Sequence, residues 1–573
     1  MIKKITYSFL VALVVVCQIT AQNVTVTNDG KNSLNATTID ASGNIVNVGS
    51  YYCTVDFDPS STVLNIAPSK ENKIQGYVQK LSSTGALSWV KVFTTNDKDV
   101  TDNITSFCSV HAVTTDALGN VYVSGAFAGE LILQAGTNQL EEVRLDSDLD
   151  TNTDAFVVKL TANGEVVWVK KYNDHEPGTN GYKKQHADAL VIANNKLIVA
   201  GDYEGYVNFN THPSDTNNNI KIQSSSNGTY SDIVLIAYDL NGTYLWNKNI
   251  PASNNSGFKN RIFNSITATA NSIAVLSNTS NNTIMTVTKF DLQSNTSFEK
   301  NFYADQYSNF YPVAIKFDSN EHIFINGRFK NTVSFDPVDK TLQKIKSHNS
   351  YSDIFLLKLK SQGTFDWVKT IQNTTGVYTP VVTGLLIVND TPTIYGTLRQ
   401  GNSTYDLDSG EAQGNDIVKS SGLLLVKYNG QTGAYQKSGF LKYVPLQSAT
   451  FGLSGSSINF YNGNYIISGY TFSGSLAFYD KTISMAQYET KSFVSTFSES
   501  FLSGVLSVKN EIIKNLQLFV SNRKVEATLP NIKMRVFDIN GRQVKNENLK
   551  NGVYIVKALN KQQQQYIKKV LVY

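Results

Sequence analysis

The chain has little of what disulfide-rich, membrane and nucleotide-binding proteins depend on. Its 573 residues include 3 cysteines, 4 tryptophans and 11 prolines, and 17% are charged. Three cysteines exclude a disulfide-rich scaffold. No apolar run reaches the roughly 20 residues of a membrane helix. The motifs G-x-S-x-G and H-E-x-x-H and the phosphate-binding glycine loop are absent. The sequence therefore offers no local signature of a common hydrolase, zinc peptidase or nucleotide-binding site.

The N-terminus has the pattern of a secretory signal peptide. The stretch "MIKKITYSFLVALVVVCQITAQ" places two lysines before a short apolar run and ends in small and polar residues. This pattern predicts a signal peptide over 1–22, cleaved near Ala21 or Gln22. Cys17 raises lipidation as an alternative, but Val16 stands where a lipobox has a small residue.

Two cysteines, Cys53 and Cys108, remain after the signal peptide. An exported chain can form disulfides, so these two residues are a disulfide candidate. Two separate buried thiols are the alternative, and the spacing does not decide between them.

All four tryptophans occupy one position of a repeated phrase. "DAFVVKLTANGEVVWVKK" at 154–171 has counterparts at 75–92, 232–249 and 353–370. In each copy the tryptophan follows a turn glycine by four residues, which describes a strand, a tight turn and a second strand. The pairs are Gly85 and Trp89, Gly164 and Trp168, Gly242 and Trp246, and Gly363 and Trp367. Phe298 takes the tryptophan position in a fifth, weaker copy.

A second phrase, also a strand, turn and strand, precedes each copy and ends at a glycine. "HAVTTDALGNVYVSGAF" from His111 and "HADALVIANNKLIVAGDY" from His186 are two examples. The end positions are Gly49, Gly125, Gly201, Gly327, Gly396 and Gly469, with Ser277 in a weaker copy. Their spacings are 76, 76, 76, 50, 69 and 73 residues. Self-similarity at this scale indicates a repeat architecture of seven units.

Seven units of four strands predict an all-β fold, a seven-bladed β-propeller over 23–504. The tryptophans are expected to pack between blades, since a large ring at a fixed strand position fills the wedge there. The alternative, an aromatic ligand platform, does not explain why four units use the residue identically. The last unit lacks a fourth strand, and "NVTVTND" at 23–29 is a spare one that can close the ring.

The repeat resembles that of the SBBP-type β-propeller proteins, which are common among secreted bacterial proteins. The resemblance rests on the pattern D-x-x-G-N-V-Y-V-S-G followed by D-A-F-V-V-K-L-x-x-x-G-x-x-x-W-x-K. It covers about 35–500, and units one, two, three and five match well.

The tail, 505–573, resembles a type A C-terminal sorting domain of the type IX secretion system of Bacteroidetes. The resemblance rests on "VFDINGR", "NGVYIVK" and "KKVLV", in that order. The motif residues are Asp538, Gly541, Gly552, Tyr554, Lys568 and Lys569. Where the family has a Pro-Asn-Pro turn, this chain has "FVSN". The resemblance implies a small β-sandwich-like domain, export across the outer membrane through that machinery, and surface anchoring or release.

The charges are unevenly distributed. Residues 505–573 carry +9 and 23–504 carry −7, within a total of +4. A mildly acidic body argues against nucleic acid as a partner.

One acidic loop is a candidate calcium site. In "DSDLDTNTD", Asp146, Asp148, Asp150 and Asp154 take positions 1, 3, 5 and 9 of a twelve-residue calcium loop. However, Thr151 replaces the glycine of position 6 and Val157 the glutamate of position 12. The alternative is a solvated acidic loop. No other cofactor is expected.

The sequence favours a secreted or surface-exposed binding or adhesion module over an enzyme. Its catalytic residues, if any, are unknown, and an extracellular glycan or protein is the expected partner. A polysaccharide lyase or hydrolase with its site on the loop face is the alternative, because propeller sites assemble from several blades. Lone carboxylates such as Asp116 and Asp318 are explained by turn chemistry, and the six scattered histidines form no metal-binding pair on a helix.

Overall fold

The structure is a computed structural model. It describes residues 23–29, 32–69, 73–96, 106–133, 143–146, 153–173, 185–211, 220–225, 230–252, 261–348, 351–375, 379–398, 404–408, 417–418, 421–444, 452–477, 482–499, 518–521, 523–527, 533–538, 542–559 and 565–572. These residues contain no α-helix. Within them, no helix has the length and apolar character that crossing a membrane needs. The predicted signal peptide lies outside the described residues.

The described strands are numbered in chain order. The first half of the chain contains β1 Asn23–Asp29, β2 Asn32–Ile39, β3 Ile45–Tyr51, β4 Val55–Asp56, β5 Asn65–Ile66, β6 Gln75–Leu81, β7 Leu87–Asn96, β8 Phe107–Thr115, β9 Val121–Ala128, β10 Glu130–Leu133, β11 Val143–Asp146, β12 Asp154–Leu160, β13 Val166–Asn173, β14 Ala189–Ala193, β15 Lys196–Tyr203, β16 Tyr206–Thr211, β17 Lys221–Gln223, β18 Asp232–Asp239, β19 Tyr244–Ile250, β20 Arg261–Ala268, β21 Ser272–Thr279, β22 Ile284–Asp291 and β23 Thr296–Tyr303. The second half contains β24 Asn309–Phe317, β25 Ile323–Lys330, β26 Thr332–Ser334, β27 Lys344–Lys346, β28 Asp353–Leu359, β29 Phe365–Asn373, β30 Val381–Val388, β31 Thr391–Leu398, β32 Tyr405–Asp406, β33 Ile417–Val418, β34 Gly422–Tyr428, β35 Tyr435–Val444, β36 Leu453–Tyr461, β37 Asn464–Ala477, β38 Thr482–Ser498, β39 Leu518–Ser521, β40 Lys524–Ala527, β41 Lys533–Phe537, β42 Gln543–Val544, β43 Gly552–Leu559 and β44 Gln565–Val572.

Seven antiparallel blades form a closed ring. Blades 1 to 6 have the strand orders β2-β3-β6-β7, β8-β9-β12-β13, β14-β15-β18-β19, β20-β21-β22-β23, β24-β25-β28-β29 and β30-β31-β34-β35. Blade 7 is β36-β37-β38-β1. The first strand of each blade contacts the first strand of the next, and β36 contacts β2, so the innermost strands complete a circle. The predicted seven-bladed β-propeller is confirmed.

The second and third strands of the blades form the core because the sheets on both sides cover them. In blades 1 and 2 every side chain of β6 and β12 is buried, including alternate residues that face opposite neighbours. Strands buried on both faces read as continuous apolar runs rather than alternating ones, as "DAFVVKL" does. The first strands are only partly covered, since their inner edge faces the central channel.

The ring closes non-covalently through the N-terminal strand. β1 pairs antiparallel with β38, from Asn23 opposite Thr496 to Asp29 opposite Lys491. It therefore supplies the fourth strand of blade 7, as the sequence predicts. A ring closed in this way leaves no first or last blade with an exposed face.

The variable insert of most units is a hairpin that extends the preceding blade. Between its second and third strands, blade 2 sends β10 and β11 back to pair with β7 of blade 1. β16 and β17 do the same for blade 2, β32 and β33 for blade 5, and β4 and β5 for β1 of blade 7. The extended end of β37, which is itself paired with β38, pairs with β35 of blade 6, and an isolated bridge joins β26 to the segment after β23. The sequence did not predict this pairing.

Blade 3 is the exception. Unit four lacks the insert, so no strand of the described residues pairs with the outer edge of β19, and the sheet of blade 3 keeps four strands. The 50-residue step in the repeat is thus a missing outer hairpin.

The tryptophans join each blade to the next, as predicted. Trp168 on β13 packs against the turn of blade 3, where a Cβ on Gly242 would lie 3.0 Å from its ring. Its Nε1 donates to Leu240 O in the same turn, at 3.3 Å. Trp89 donates to Ala162 O and Trp246 to Leu292 O in the same manner. Phe298 lies against Gly363, which confirms that it takes the tryptophan position in unit four.

A lysine on the third strand strengthens the same junction. Lys159 donates to Leu240 O at 2.7 Å, so one turn carbonyl accepts from both the lysine and the indole. Lys80 likewise donates to Ala162 O. In unit six the tryptophan position is occupied by Lys437, opposite Lys427. Both of these lysines bind Glu499 of blade 7, and their hydrogen bonds lower the pKa of the Glu499 carboxyl.

The described part of the tail has a hydrophobic cluster of its own. β41, β42, β43 and β44 form one sheet in the order β42-β41-β43-β44, and β39 pairs with β40. Val525, Val536, Leu549, Tyr554 and Val556 are buried together. The strands agree with the expected all-β character of this segment, whereas its assignment as a sorting domain stays a prediction.

Candidate functional site at the inner strands of blades 2 and 3

The first strand of each blade contains a β-bulge, which re-aims one side chain. In blade 2 the register shifts between Val110 and Ala112, so His111 is the extra residue. In blade 3 the amide of Asp188 donates to Ala200 O while Ala189 is also paired with Ala200, which makes Asp188 the extra residue. The register shifts at the same place in the first strands of blades 1, 4, 5, 6 and 7. Bulges commonly redirect side chains near sites.

Several bulge residues reach the bulge of the next blade. Asn35 Nδ2 donates to Val110 O at 2.8 Å, from blade 1 to blade 2. Ser456 donates to Leu34 O, from blade 7 to blade 1. These two contacts tie backbone to side chain and are structural. Between blades 2 and 3, by contrast, both bulge residues are ionisable.

His111, His186, Asp188 and Asp202 converge at that junction. His111 Nδ1 lies 3.1 Å from Asp188 Oδ1, and His186 Nδ1 lies 3.3 Å from Asp202 Oδ1 and 3.8 Å from Asp188 Oδ2. The side chains are 31%, 30%, 30% and 21% exposed, in the order named. They are therefore open to solvent, in contrast to the buried blade interior.

Each of the four side chains has a defined origin in the fold. His186 and Asp188 precede the first strand of blade 3, and the His186 amide donates to Asp202 O. Asp202 follows Gly201 on β15, and a Cβ on Gly201 would lie 1.9 Å from His186 O. Only glycine permits the first two strands to approach so closely there. The close approach brings Asp202 beside His186.

Donors of this type can act in two ways. Imidazole nitrogens and carboxylate oxygens are ligands for a divalent transition metal, and a histidine beside a carboxylate is also a common acid–base pair. His186, Asp188 and Asp202 place ligand atoms within 4.8 Å of one another, which among the described residues is the one such group of three or more histidine, cysteine, aspartate and glutamate side chains.

The sequence points to this cluster less directly than to the blades. His111 and His186 open the glycine phrase in consecutive units, so the repeat places them on neighbouring first strands. The amino-acid sequence does not show that a one-residue bulge directs the Asp188 side chain toward both histidines. The two histidines lie on or beside strands and not on one helix, so the helical spacing of metal-binding histidines does not reveal them.

The predicted calcium loop is only partly described. Asp148 and Asp150 lie outside the described residues, and Asp146 ends β11, opposite Glu130. Asp154 is buried at the start of β12, 3.3 Å from the amino group of Lys171. The calcium site stays a prediction.

The remaining predicted residues are two cysteines and the residues of the sorting motif. Cys53 is half-buried after β3 and Cys108 is buried on β8, where burial raises the pKa of its thiol. Their pairing stays a prediction. Of the sorting-motif residues, Asp538 follows β41, Gly552 and Tyr554 lie on β43, Lys568 and Lys569 lie on β44, and Gly541 is outside the described residues.

Asp116 and Asp318 are turn residues, as predicted. Asp116 Oδ1 accepts from the amides of Leu118 and Asn120, and its Oδ2 accepts from the hydroxyl of Tyr122. Asp318 accepts from the amides of Asn320 and His322. Their carboxylates are engaged in local structure.

A cavity of about 720 Å³ lies between blades 2 and 3, away from the cluster. It is lined by the turns that follow β8, β14 and β18, including Asp116, Asn194 and Asp239. His186 and Asp188 lie at the other end of the first strand of blade 3. The cavity thus presents turn carboxylates already hydrogen-bonded to backbone, and the ionisable cluster is the better candidate site.

Comparison with known proteins identifies no family. No protein-family profile and no curated protein matches the chain. A catalytically inactive virginiamycin B lyase from Staphylococcus aureus with quinupristin is 12% identical, covering 70% of this chain and 99% of its own, with a TM-score of 0.28. The intramolecular trans-sialidase of Ruminococcus gnavus is 10% identical over 84% of this chain and 97% of its own, with a TM-score of 0.34. The leech intramolecular trans-sialidase is 11% identical over 84% and 70%, with a TM-score of 0.32. The propeller architecture of this chain rests on its own strand pairing.

Proposed function

We propose that the protein is a secreted or cell-surface β-propeller that binds an extracellular ligand at the junction of blades 2 and 3. The observation that carries the proposal is the partly exposed cluster of His111, His186, Asp188 and Asp202. The repeated polar residues of the blades are used for turns and junctions, whereas no other group of three or more histidine, cysteine, aspartate and glutamate side chains converges among the described residues. A cluster of ionisable side chains that is open to solvent is a functional-site candidate.

The ligand class we propose is an extracellular glycan. Carboxylates and imidazoles at a partly exposed site can hydrogen-bond sugar hydroxyls, and the channel edge of a propeller admits a ligand that touches two blades. The acidic body of 23–504 disfavours polyanions. A neutral or amino-substituted glycan therefore fits the site better than a sulfated one.

A second candidate is a polysaccharide lyase or hydrolase acting at the same place. Two histidine–carboxylate pairs, at 3.1 and 3.3 Å, have the geometry in which a carboxylate orients an imidazole for proton transfer. This arrangement is the observation that favours catalysis.

Screening the chain 23–573 against a glycan panel tests both candidates. Binding to one glycan class without new reducing ends supports the binding module, and release of reducing ends supports the enzyme. Asp202→Asn should reduce either signal, while His322→Asn should not, because His322 is paired with a turn carboxylate far along the repeat. Equal binding by both variants would place the ligand elsewhere.

We also propose export through the type IX secretion system. The ordered tail motifs and the separate hydrophobic cluster around Val536 and Val556 support an independent sorting domain. Deleting 505–573 should leave folded propeller in the periplasm. Normal secretion of that chain would refute the proposal for the tail without affecting the proposed binding site.

A further inference from the structure

We propose that His186, Asp188 and Asp202 bind a divalent transition-metal cation such as Zn²⁺, with His111 as a positioning residue. The proposal extends the proposed function, since the cation would present open coordination positions to the ligand at the same site. Metal binding is measured without any glycan, so the two proposals can fail separately.

The separations of the donor atoms fit a single cation. His186 Nδ1 lies 3.3 Å from Asp202 Oδ1 and 3.8 Å from Asp188 Oδ2. Ligand atoms bonded to one zinc ion at about 2.0–2.2 Å stand about 3–4 Å apart at ordinary coordination angles. A cation can therefore be bound with small rotations of the side chains and no movement of the strands.

The charge around the cluster favours a cation. Asp188 and Asp202 both lie beside His186, and within the described part of the chain neither forms an ion pair with lysine or arginine. Some carboxylates elsewhere in the ring do have such partners: Asp40 pairs with Lys80, and Glu321 with Lys289. A divalent cation would supply the compensating charge for the two aspartates.

The mixture of donors selects the class of metal. Calcium and magnesium prefer a shell made of oxygen atoms, whereas imidazole suits zinc, copper, iron and nickel. One imidazole and two carboxylates therefore favour a first-row transition metal over calcium. This separates the cluster from the predicted loop of Asp146 and Asp148, whose ligands are oxygens alone.

His111 contacts the cluster through Asp188. Asp188 directs Oδ2 toward His186 and Oδ1 toward His111, at 3.1 Å. A hydrogen bond to the outer oxygen of a coordinating carboxylate fixes its orientation, and loss of such a partner commonly weakens metal binding about 10–100-fold. His111 lies on blade 2 and the three ligands on blade 3, so this contact also couples the metal to the blade junction.

Three protein ligands leave at least one coordination position for water or a ligand, since zinc takes four or five. The partly exposed side chains put that position in contact with solvent. A sugar hydroxyl or a carboxylate could occupy it, which is how a metal would contribute to ligand binding at the channel edge.

Isothermal titration of the metal-stripped chain 23–573 with Zn²⁺ tests the proposal. We expect one saturable site per chain. Asp202→Asn and His186→Asn should each weaken its affinity at least about tenfold. The matched control His322→Asn changes a histidine that also contacts an aspartate, Asp318, in a turn outside the cluster, and it should bind as the unaltered chain does. A circular dichroism melt without metal shows whether each variant is folded; Asp188→Asn replaces any variant that is not.

Cobalt substitution gives a second readout. Co²⁺ in the site should show ligand-field absorption bands, which His186→Asn shifts and His111→Ala leaves at the same wavelength while weakening affinity. His111→Gln should restore affinity, because its amide can donate to Asp188. Absence of saturable Zn²⁺ binding, unchanged binding in folded variants of the three ligands, or equal affinity for Ca²⁺ at this site would each overturn the proposal.

Discussion

The junction between blades 2 and 3 contains two contacts of opposite character. On the outer side, Trp168 and Lys159 both donate to Leu240 O, and the same arrangement recurs between blades 1 and 2. On the inner side, His111 faces Asp188 next to His186, and no other junction of the described residues repeats this group. What recurs at several junctions is explained by the assembly of blades. The residues that occur once, at a recurring backbone position, are the ones that need a functional explanation.

The largest effect on the stability of the propeller should come from removal of β1, the strand that closes the ring. Deleting 23–29 removes the pairing of β1 with β38. The deletion removes several backbone hydrogen bonds, each worth about 1 kcal/mol. Their loss should lower the free energy of unfolding by about 3–5 kcal/mol. The whole ring should melt earlier in a single transition, followed by circular dichroism. Deleting 505–573 is the control and should leave the melt unchanged. A deletion of 23–29 without effect would mean that the ring does not depend on this closure.

The next largest effect should follow from Trp168→Ala. The half-buried indole fills the wedge between β13 and the turn of blade 3, so its removal should lower the free energy of unfolding by about 2–3 kcal/mol, less than for a fully buried ring. Trp168→Phe keeps a ring there and loses the bond to Leu240 O, at a cost of about 1 kcal/mol. Urea denaturation measures both. If the alanine variant were as stable as the phenylalanine variant, the junction between the blades would not depend on an aromatic side chain at this position.

Gly242→Ala tests the turn side of the same contact. Gly242 has φ of +88°, and an added Cβ would lie 3.0 Å from the Trp168 ring. Gly463 has φ of +78° with nothing within 4 Å of an added Cβ. Gly463→Ala should therefore cost only the backbone term, about 1–2 kcal/mol, and Gly242→Ala should cost more. Equal losses of stability in urea denaturation would show that the Trp168 indole moves aside without cost.

The smallest effect on stability should come from Asp188→Asn. Without metal, the amide can still bond His111, and one of two neighbouring negative charges is removed. We expect the free energy of unfolding to change by less than about 0.5 kcal/mol, while Zn²⁺ no longer raises the melting temperature. A large destabilisation without metal would mean that the inner cluster belongs to the structural frame and would remove the contrast between the two contacts.

The sequence predicts the repeated contacts between blades better than the candidate site, because the repeated contacts use the same residue at the same position of each unit. Trp89, Trp168, Trp246 and Trp367 share one position because each meets the same turn of the next blade, so the repeat reveals their role. Ser277, which replaces glycine in the weakest copy, is paired with Phe263 as the register requires. The hairpins that pair with the preceding blade share no sequence motif that predicts this pairing. Their pairing crosses between units, and backbone hydrogen bonds accept many side chains, so the sequence carries no signal for it.

The site could be predicted only in part. The glycine phrase has a histidine near its start in units two and three, His111 and His186, which is enough to expect two histidines near adjacent first strands. Whether those histidines share a carboxylate depends on the bulge at Asp188 and on the closeness of strands at Gly201. A shift of one residue in a strand changes the face on which every side chain lies. Sequence periodicity does not record such a shift.

The missing hairpin of unit four has a consequence for how the ring opens. In six of the blades, a neighbour's hairpin pairs with or bridges to the outer strand, so that strand can detach only if two units loosen together. Within the described residues, the outer amides of β19 have no such partner. Local fluctuations of this strand therefore disturb one blade alone, and backbone protons on its outer edge should exchange with solvent ahead of those in β13. The innermost strands contact their neighbours in every blade. Among the outer strands of the described residues, β19 alone has no strand or bridge from the next unit.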